Sequence, residues 1–432
     1  MRKIIINILE KLHIKIFHHP MSGEMKIFIK NLSWSFLAGM TAIPLIAITT
    51  LAGRFMGPTE YGKYSLLLII NQYITLFIFF GLDITSTKYI AKAQSDAEKK
   101  VIISTIFNFI LVLLSSVFLM ALLSYPILSH FSPHYSLFMI LTIYYTVVVT
   151  IKTILDLFIR GIEKFKIQTI GKIIEATTIA AIFILLFLFF KKNNFISFLF
   201  VINTGAIAIA IYYFVYLFKY FGKGNREILK NQLSESKNYF ISGLLGTLFI
   251  TADRLIIGKY LGVEALGIYS AYYLASFTVI SQINLLFANV FFPVTARLKD
   301  KSFANKIDRL LSIGFLPLLL ILGGIMYVML IIFGKEYPMN YLYILEFSII
   351  SSLYFFQALY NTVIVDVEKK RYARYVWIRN YVNMGTIVIY GVLVYWQIIS
   401  ILFILIALII NYIGVIIIQR LFIRSMQQNQ LQ

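Results

Sequence analysis

Residues 53–65 read GRFMGPTEYGKYS and residues 258–270 read GKYLGVEALGIYS. At a fixed offset of 205, five positions are identical: Gly53 and Gly258, Gly57 and Gly262, Gly62 and Gly267, Tyr64 and Tyr269, Ser65 and Ser270. Arg54 stands opposite Lys259, and Phe55 opposite Tyr260. The same offset aligns Glu163-Lys164 with Glu368-Lys369. A register kept over that distance marks an internal duplication of half the chain. The glycines have distinct expected jobs. Gly53 with Gly57, and Gly258 with Gly262, are small-xxx-small pairs that let helix ends approach closely. Gly62 and Gly267 are expected in tight turns, where positive φ costs glycine little.

Each repeat is a run of apolar segments. The chain has 432 residues, of which 60% are hydrophobic and only 13% charged. Its mean hydropathy is +0.83. Soluble domains are about 45–50% apolar and about 25% charged, so this composition belongs to a membrane protein. A cytosolic enzyme, a secreted domain and a disordered regulator are excluded. A crossing helix needs about 20 mostly apolar residues. Twelve such stretches occur, at 33–53, 64–85, 101–123, 136–157, 169–190, 195–218, 238–258, 269–292, 307–332, 340–363, 375–395 and 398–419. Six per repeat returns the chain to its starting side, so the two halves are parallel repeats about an axis along the membrane normal. The expected fold is therefore an all-α integral membrane protein, with two six-helix lobes around a central cavity. The expected divisions are a basic amphipathic N-terminal segment 1–30, a first lobe 31–219, a linker 220–236, a second lobe 237–424 and a tail 425–432.

Charge sets the expected orientation. The net charge is +20. Of the 39 Lys and Arg, 32 fall at the termini and in the loops after even-numbered spans, and 7 on the other side. Lysine and arginine favour cytoplasmic loops, so both termini are expected in the cytoplasm. Most of the excess positive charge then faces anionic headgroups, and no nucleic-acid partner is implied.

The motifs of soluble chemistry are missing. No G-x-x-x-x-G-K-[ST], H-E-x-x-H or G-x-S-x-G occurs, and there is no Cys. The five histidines lie outside the spans, and no loop is long enough to fold alone. These features favour a carrier over a membrane enzyme. Ionisable residues at membrane depth then become the candidates for function, because placing them there is costly. They include Asp253 and Arg254 in the outer part of span 7, Glu175 in span 5 and Glu346 in span 10. Glu175 and Glu346 are the best-placed carboxylates for coupling to H⁺ or Na⁺. Lys152 and Asp156 form an i,i+4 pair in span 4, while Asp83, Lys88 and Arg160 lie where side chains can snorkel to the headgroups.

Five stretches carry a family pattern: RFMGPTEYGKYSL at 54–66, FFGLDITSTKYIAK at 79–92, RGIEKFK at 160–166, DRLIIGKYLGVEALGIYS at 253–270 and FGKEY at 333–337. Together they resemble the Wzx-type polysaccharide flippases of the MOP exporter superfamily. The resemblance runs from about residue 28 to residue 420. It implies a V-shaped cationic cavity and translocation of undecaprenyl-pyrophosphate-linked oligosaccharide to the outer leaflet of a bacterial plasma membrane. Carried onto this sequence, it implies outer-side substrate contacts at Arg54, Arg254 and Lys259, and inner-side contacts at Lys88, Arg160 and Arg297. Asp253 would keep Arg254 oriented. Arginine suits the task because its planar fork binds clustered anionic oxygens bidentately. Membrane lipids and other glycan-assembly membrane proteins are the further expected partners, with no metal and no organic cofactor. Two rivals remain: a MATE-like drug/cation antiporter, and an integral glycosyltransferase or polymerase.

Overall fold

The computed structural model describes residues 33–34, 36–131, 133–285, 302–364 and 369–428. The expected amphipathic segment 1–30, Arg297 and Glu368 lie outside these residues.

The described chain is helical nearly throughout. The helices are α1 (Ala42–Phe79), α2 (Leu82–Lys92), α3 (Asp96–Phe131), α4 (Pro133–Gly161), α5 (Phe165–Phe183) and α6 (Phe195–Leu217) in the first half. In the second half they are α7 (Arg226–Tyr260), α8 (Val263–Tyr273), α9 (Ser302–Phe333), α10 (Tyr341–Ile364), α11 (Lys369–Tyr395) and α12 (Ile401–Gln428). Wider π turns extend α5 over Ile184–Phe189 and α8 over Leu274–Thr278. Asn194 and Asn225 cap α6 and α7 by accepting amide hydrogens of the first turn, which satisfies donors that have no helical partner.

Among the described residues, ten helices are long and apolar enough to cross a membrane. The first of these, Phe36–Phe79, contains two crossings in series. Helix α11 has 27 residues, about 40 Å at 1.5 Å per residue, long enough to cross, and is less apolar than the ten because Arg379, Asn380 and Asn383 lie within its span. Twelve spans therefore stand in two six-helix lobes. The segment expected as a linker, 220–236, is helical from Arg226 onward.

The glycines of the repeat exchange their expected roles. Gly57 breaks α1 with φ 76 and ψ 169, and Gly262 breaks the chain between α7 and α8 with φ 98 and ψ 168. These equivalent positions are the tight turns, for which glycine is the natural residue. Pro58 starts the helix after Gly57, where its missing N–H costs nothing. Gly62 and Gly267 instead lie within helices, not in turns as the sequence suggests. A Cβ on Gly62 would strike the Val263 carbonyl, and one on Gly267 would strike the Pro58 carbonyl. The two helices cross backbone to backbone, joining the lobes at the lysine- and arginine-poor end. Tyr337 strengthens this junction by donating to the Gly53 carbonyl at 2.9 Å, with Tyr61 edge-on to Phe333 at 5.6 Å.

The lobes also touch along spans 2 and 7. Tyr73 meets Thr251 through their hydroxyls (2.5 Å), Thr85 meets Ser236 (2.8 Å), and Phe80 stacks on Phe240 (4.5 Å). Gly81, at φ 77, lets α7 approach its backbone.

Candidate substrate and ion site

The buried charge of the first lobe is built by α4 and α5. Lys152 lies nine residues from the end of α4 and Glu175 ten residues into α5, about 13 and 15 Å from one end of the bundle. Lys152 and Glu175 form an ion pair, and Lys172 reaches the other carboxylate oxygen at 3.3 Å. Glu175 is 4% exposed, whereas the two lysine side chains keep 20% and 25% of their surface. Two ammonium groups thus share one buried carboxylate about midway through a ~30 Å hydrocarbon core. A turn nearer the end, Asp156 accepts from Tyr213 Oη at 3.1 Å and from Gln168 Nε2 at 3.2 Å, and pairs with Arg160 at 3.3 Å.

The second lobe places its charge differently. Asp253 and Arg254 lie seven and six residues before the end of α7, about 10 Å from the opposite face. Both are buried. Asp253 accepts from Tyr269 Oη at 2.5 Å and from the Arg254 amide at 2.7 Å. Asp253 keeps an ion-pair contact with Arg254, whose Nε lies 4.0 Å from the carboxylate. The guanidinium also stacks on Tyr273 at 4.4 Å and donates through Nη2 to the Ile250 carbonyl at 3.1 Å. Asp253 opens also onto a cavity of about 110 Å³, lined by Tyr273, Thr278, Ser281, Tyr354 and Tyr412. The wider π turn of α8 supplies Thr278 to this wall.

The other sequence candidates are dispersed. Arg54 is exposed at the lobe junction and reaches the Ile332 carbonyl at 3.4 Å. Lys259 is exposed and lies over Tyr260 at 5.3 Å. Lys88 pairs with Glu235 across the two lobes. Glu346 is 6% exposed, with Oε2 lacking a protein partner. Glu175, expected as a coupling carboxylate, is paired with two lysines. Sequence reading missed Glu235 and Lys172 as partners. The Lys172–Glu175 spacing of i,i+3 could have been seen, but nothing in the sequence joins Lys88 to a residue 147 positions away.

This geometry has relatives. Residues 28–299 match the family described as "Polysaccharide biosynthesis protein", more than half of the chain. The protein belongs to that family. Solved structures share the fold at low identity. An inward-facing MATE multidrug-resistance transporter of the MOP superfamily superposes with TM-score 0.64 at 12% identity, covering 90% of this chain and 96% of its own. Its outward-facing counterpart gives TM-score 0.60 at 13% identity, covering 92% and 95%. A MOP-superfamily transporter from Pyrococcus furiosus, described by the reverse polarity of its binding pocket, gives TM-score 0.60 at 12% identity, covering 94% and 96%. No curated protein sequence matches the chain.

Proposed function

We propose that this protein is a flippase that moves undecaprenyl-pyrophosphate-linked oligosaccharide, the repeat unit of O-antigen or a similar surface glycan, across a bacterial plasma membrane. It works by alternating access, and no bond is made or broken. The termini face the cytoplasm, as the lysine and arginine distribution favours. One observation carries the reading: Lys152 and Lys172 present more positive charge than Glu175 cancels, halfway across the membrane. A buried excess cation is costly without an anionic partner, and pyrophosphate supplies one. Membership of the polysaccharide biosynthesis family supports the sugar part of the substrate. Arg254, stacked and partly unsatisfied at Nε, is the second-lobe contact. Arg54 and Lys259 would meet the headgroup at the outer rim.

The test is a flipping assay. Purified protein is placed in liposomes with a fluorescent undecaprenyl-pyrophosphate oligosaccharide, and a membrane-impermeant quencher reports the outer leaflet. Protein-dependent loss of the protected fraction is expected, abolished by the double variant Lys152→Ala/Lys172→Ala. Equal flipping by that variant would remove the assigned site.

A MATE-like drug/cation antiporter is the second reading, favoured by the buried, partly unpartnered carboxylate of Glu346. Drug accumulation that depends on Glu346, with no flipping, would select it.

A further inference from the structure

The second lobe holds a line of buried polar groups that substrate binding does not use. Tyr375, Asn383, Thr386 and Tyr390 recur along one face of α11, spanning about 22 Å. Helix α12 faces them with two amides. Asn411 donates through Nδ2 to Thr386 Oγ1 at 2.9 Å and Asn383 Oδ1 at 3.3 Å. Gln419 donates through Nε2 to Tyr375 Oη at 2.8 Å and Asn361 Oδ1 at 3.0 Å. Near the lysine- and arginine-rich end of this line, Tyr360 and Arg420 both bond Asp308, the latter at 2.8 Å. At the other end, Tyr412 lines the same cavity as Asp253, and Tyr390 is buried on the facing helix.

The two amides share a pattern. Each spends its NH₂ group on the protein and leaves its carbonyl oxygen buried without a protein donor. Asn380 Oδ1, at an intermediate level on α11, and the Tyr390 hydroxyl are likewise buried without a protein partner. Unmatched polar groups in a membrane interior are costly and usually functional. Acceptors about a turn apart, in a setting of hydroxyls, suit a file of bound waters, since a buried water needs two to four polar partners. They are too spread along the axis to surround one metal ion. Two cations lie beside this line: Arg379 is over the Tyr375 ring at 6.0 Å with its Nε buried and unpartnered, and Arg420 is paired with Asp308.

We propose that the interior of the second lobe is a proton route, in which waters held by Asn411, Asn380 and Gln419 and the hydroxyls of Thr386 and Tyr390 connect Asp253 to the lysine- and arginine-rich face. A proton enters as hydronium at that face and passes along O–H···O contacts, each oxygen receiving one proton and releasing another. It ends on a carboxylate oxygen of Asp253 and cancels its charge. The titratable groups around Asp253 are Arg254 on its own helix, Tyr269 and Tyr273 on α8, Tyr354 on α10 and Tyr412 on α12. Arg254 is the charged one among them, and neutralising Asp253 would leave that guanidinium free for an anionic substrate. This deepens the flippase reading by assigning its coupling ion and carrier.

Infrared difference spectroscopy of the protein in lipid, without any sugar substrate, tests the route. Buffer steps from alkaline to acid should raise a protonated-carboxyl C=O band that is absent in Asp253→Asn. In D₂O that band should shift at a rate slowed about tenfold or more by Asn411→Leu and by Thr386→Val, while Thr386→Ser, which keeps the hydroxyl, exchanges as wild type. No Asp253-dependent band at any pH, or equal exchange in Thr386→Val and Thr386→Ser, would overturn the proposal. Because no oligosaccharide takes part, a negative flipping assay leaves this result standing, and the reverse also holds.

Discussion

The two lobes are copies of one scaffold with their charges in different places. At the repeat offset, Lys152, Asp156 and Glu175 of the first lobe correspond to Gln357, Asn361 and Asn380 of the second. Three charges of the first-lobe cluster are amides in the other copy, and the fourth, Lys172, corresponds to Trp377. In the opposite sense, Asp253 and Arg254 correspond to Ile48 and Thr49. Tyr269 donates to Asp253 at 2.5 Å, whereas its equivalent, Tyr64, packs edge-on against Phe198 at 4.9 Å. Asp156 and Asn361 have nearly the same shape, so packing tolerates that exchange while the charge is lost; the other exchanges change length as well as charge. The duplication therefore preserves the helix arrangement and separates two jobs: excess positive charge in the first lobe, a buried carboxylate with a polar file in the second.

The comparison breaks most readily where the copies touch. Gly267→Leu places a side chain against the Pro58 carbonyl and is expected to cost more than about 4 kcal/mol, seen as loss of monodisperse protein in detergent. Next comes Glu175→Gln, which leaves two partly buried lysines without their anion and should cost about 3 kcal/mol, measured as a lowered thermal midpoint. The quadruple variant Lys152→Gln/Asp156→Asn/Lys172→Gln/Glu175→Asn replaces all four charges of the first-lobe cluster by amides. It should recover most of that stability while flipping is lost; full flipping would mean that the charge difference between the lobes is not functional. Arg254→Lys gives up the planar stack on Tyr273, a loss of about 1–2 kcal/mol, again read from the thermal midpoint. The smallest effect is expected at the bridge between the lobes. The Lys88 and Glu235 side chains are 39% and 32% exposed, so Lys88→Ala should change stability by no more than about 1 kcal/mol, and Lys88→Glu/Glu235→Lys should behave as wild type in the same melt.

Most of the architecture is legible without coordinates because its causes are local. Twenty-residue apolar windows, lysines and arginines in short loops, and a glycine pattern repeated at one offset are all one-dimensional properties. They lead to twelve spans and two lobes with little ambiguity. Asp253 and Arg254 are legible as a buried pair for the same reason, since opposite charges so deep in an apolar span require compensation. Contacts between helices are not legible in this way. Which glycine turns and which one touches its counterpart depends on how α1 and α8 cross, and the sequence-level assignment of Gly57 and Gly62 comes out reversed. Lys88 finds Glu235, Arg254 finds the face of Tyr273, and Asn411 finds Thr386 only after the helices have rotated against one another. Apolar helices in a bilayer can adopt many rotations at similar hydrophobic cost. Close backbone contact and the pairing of the few buried polar groups select among them, and both exist only once the spans are packed.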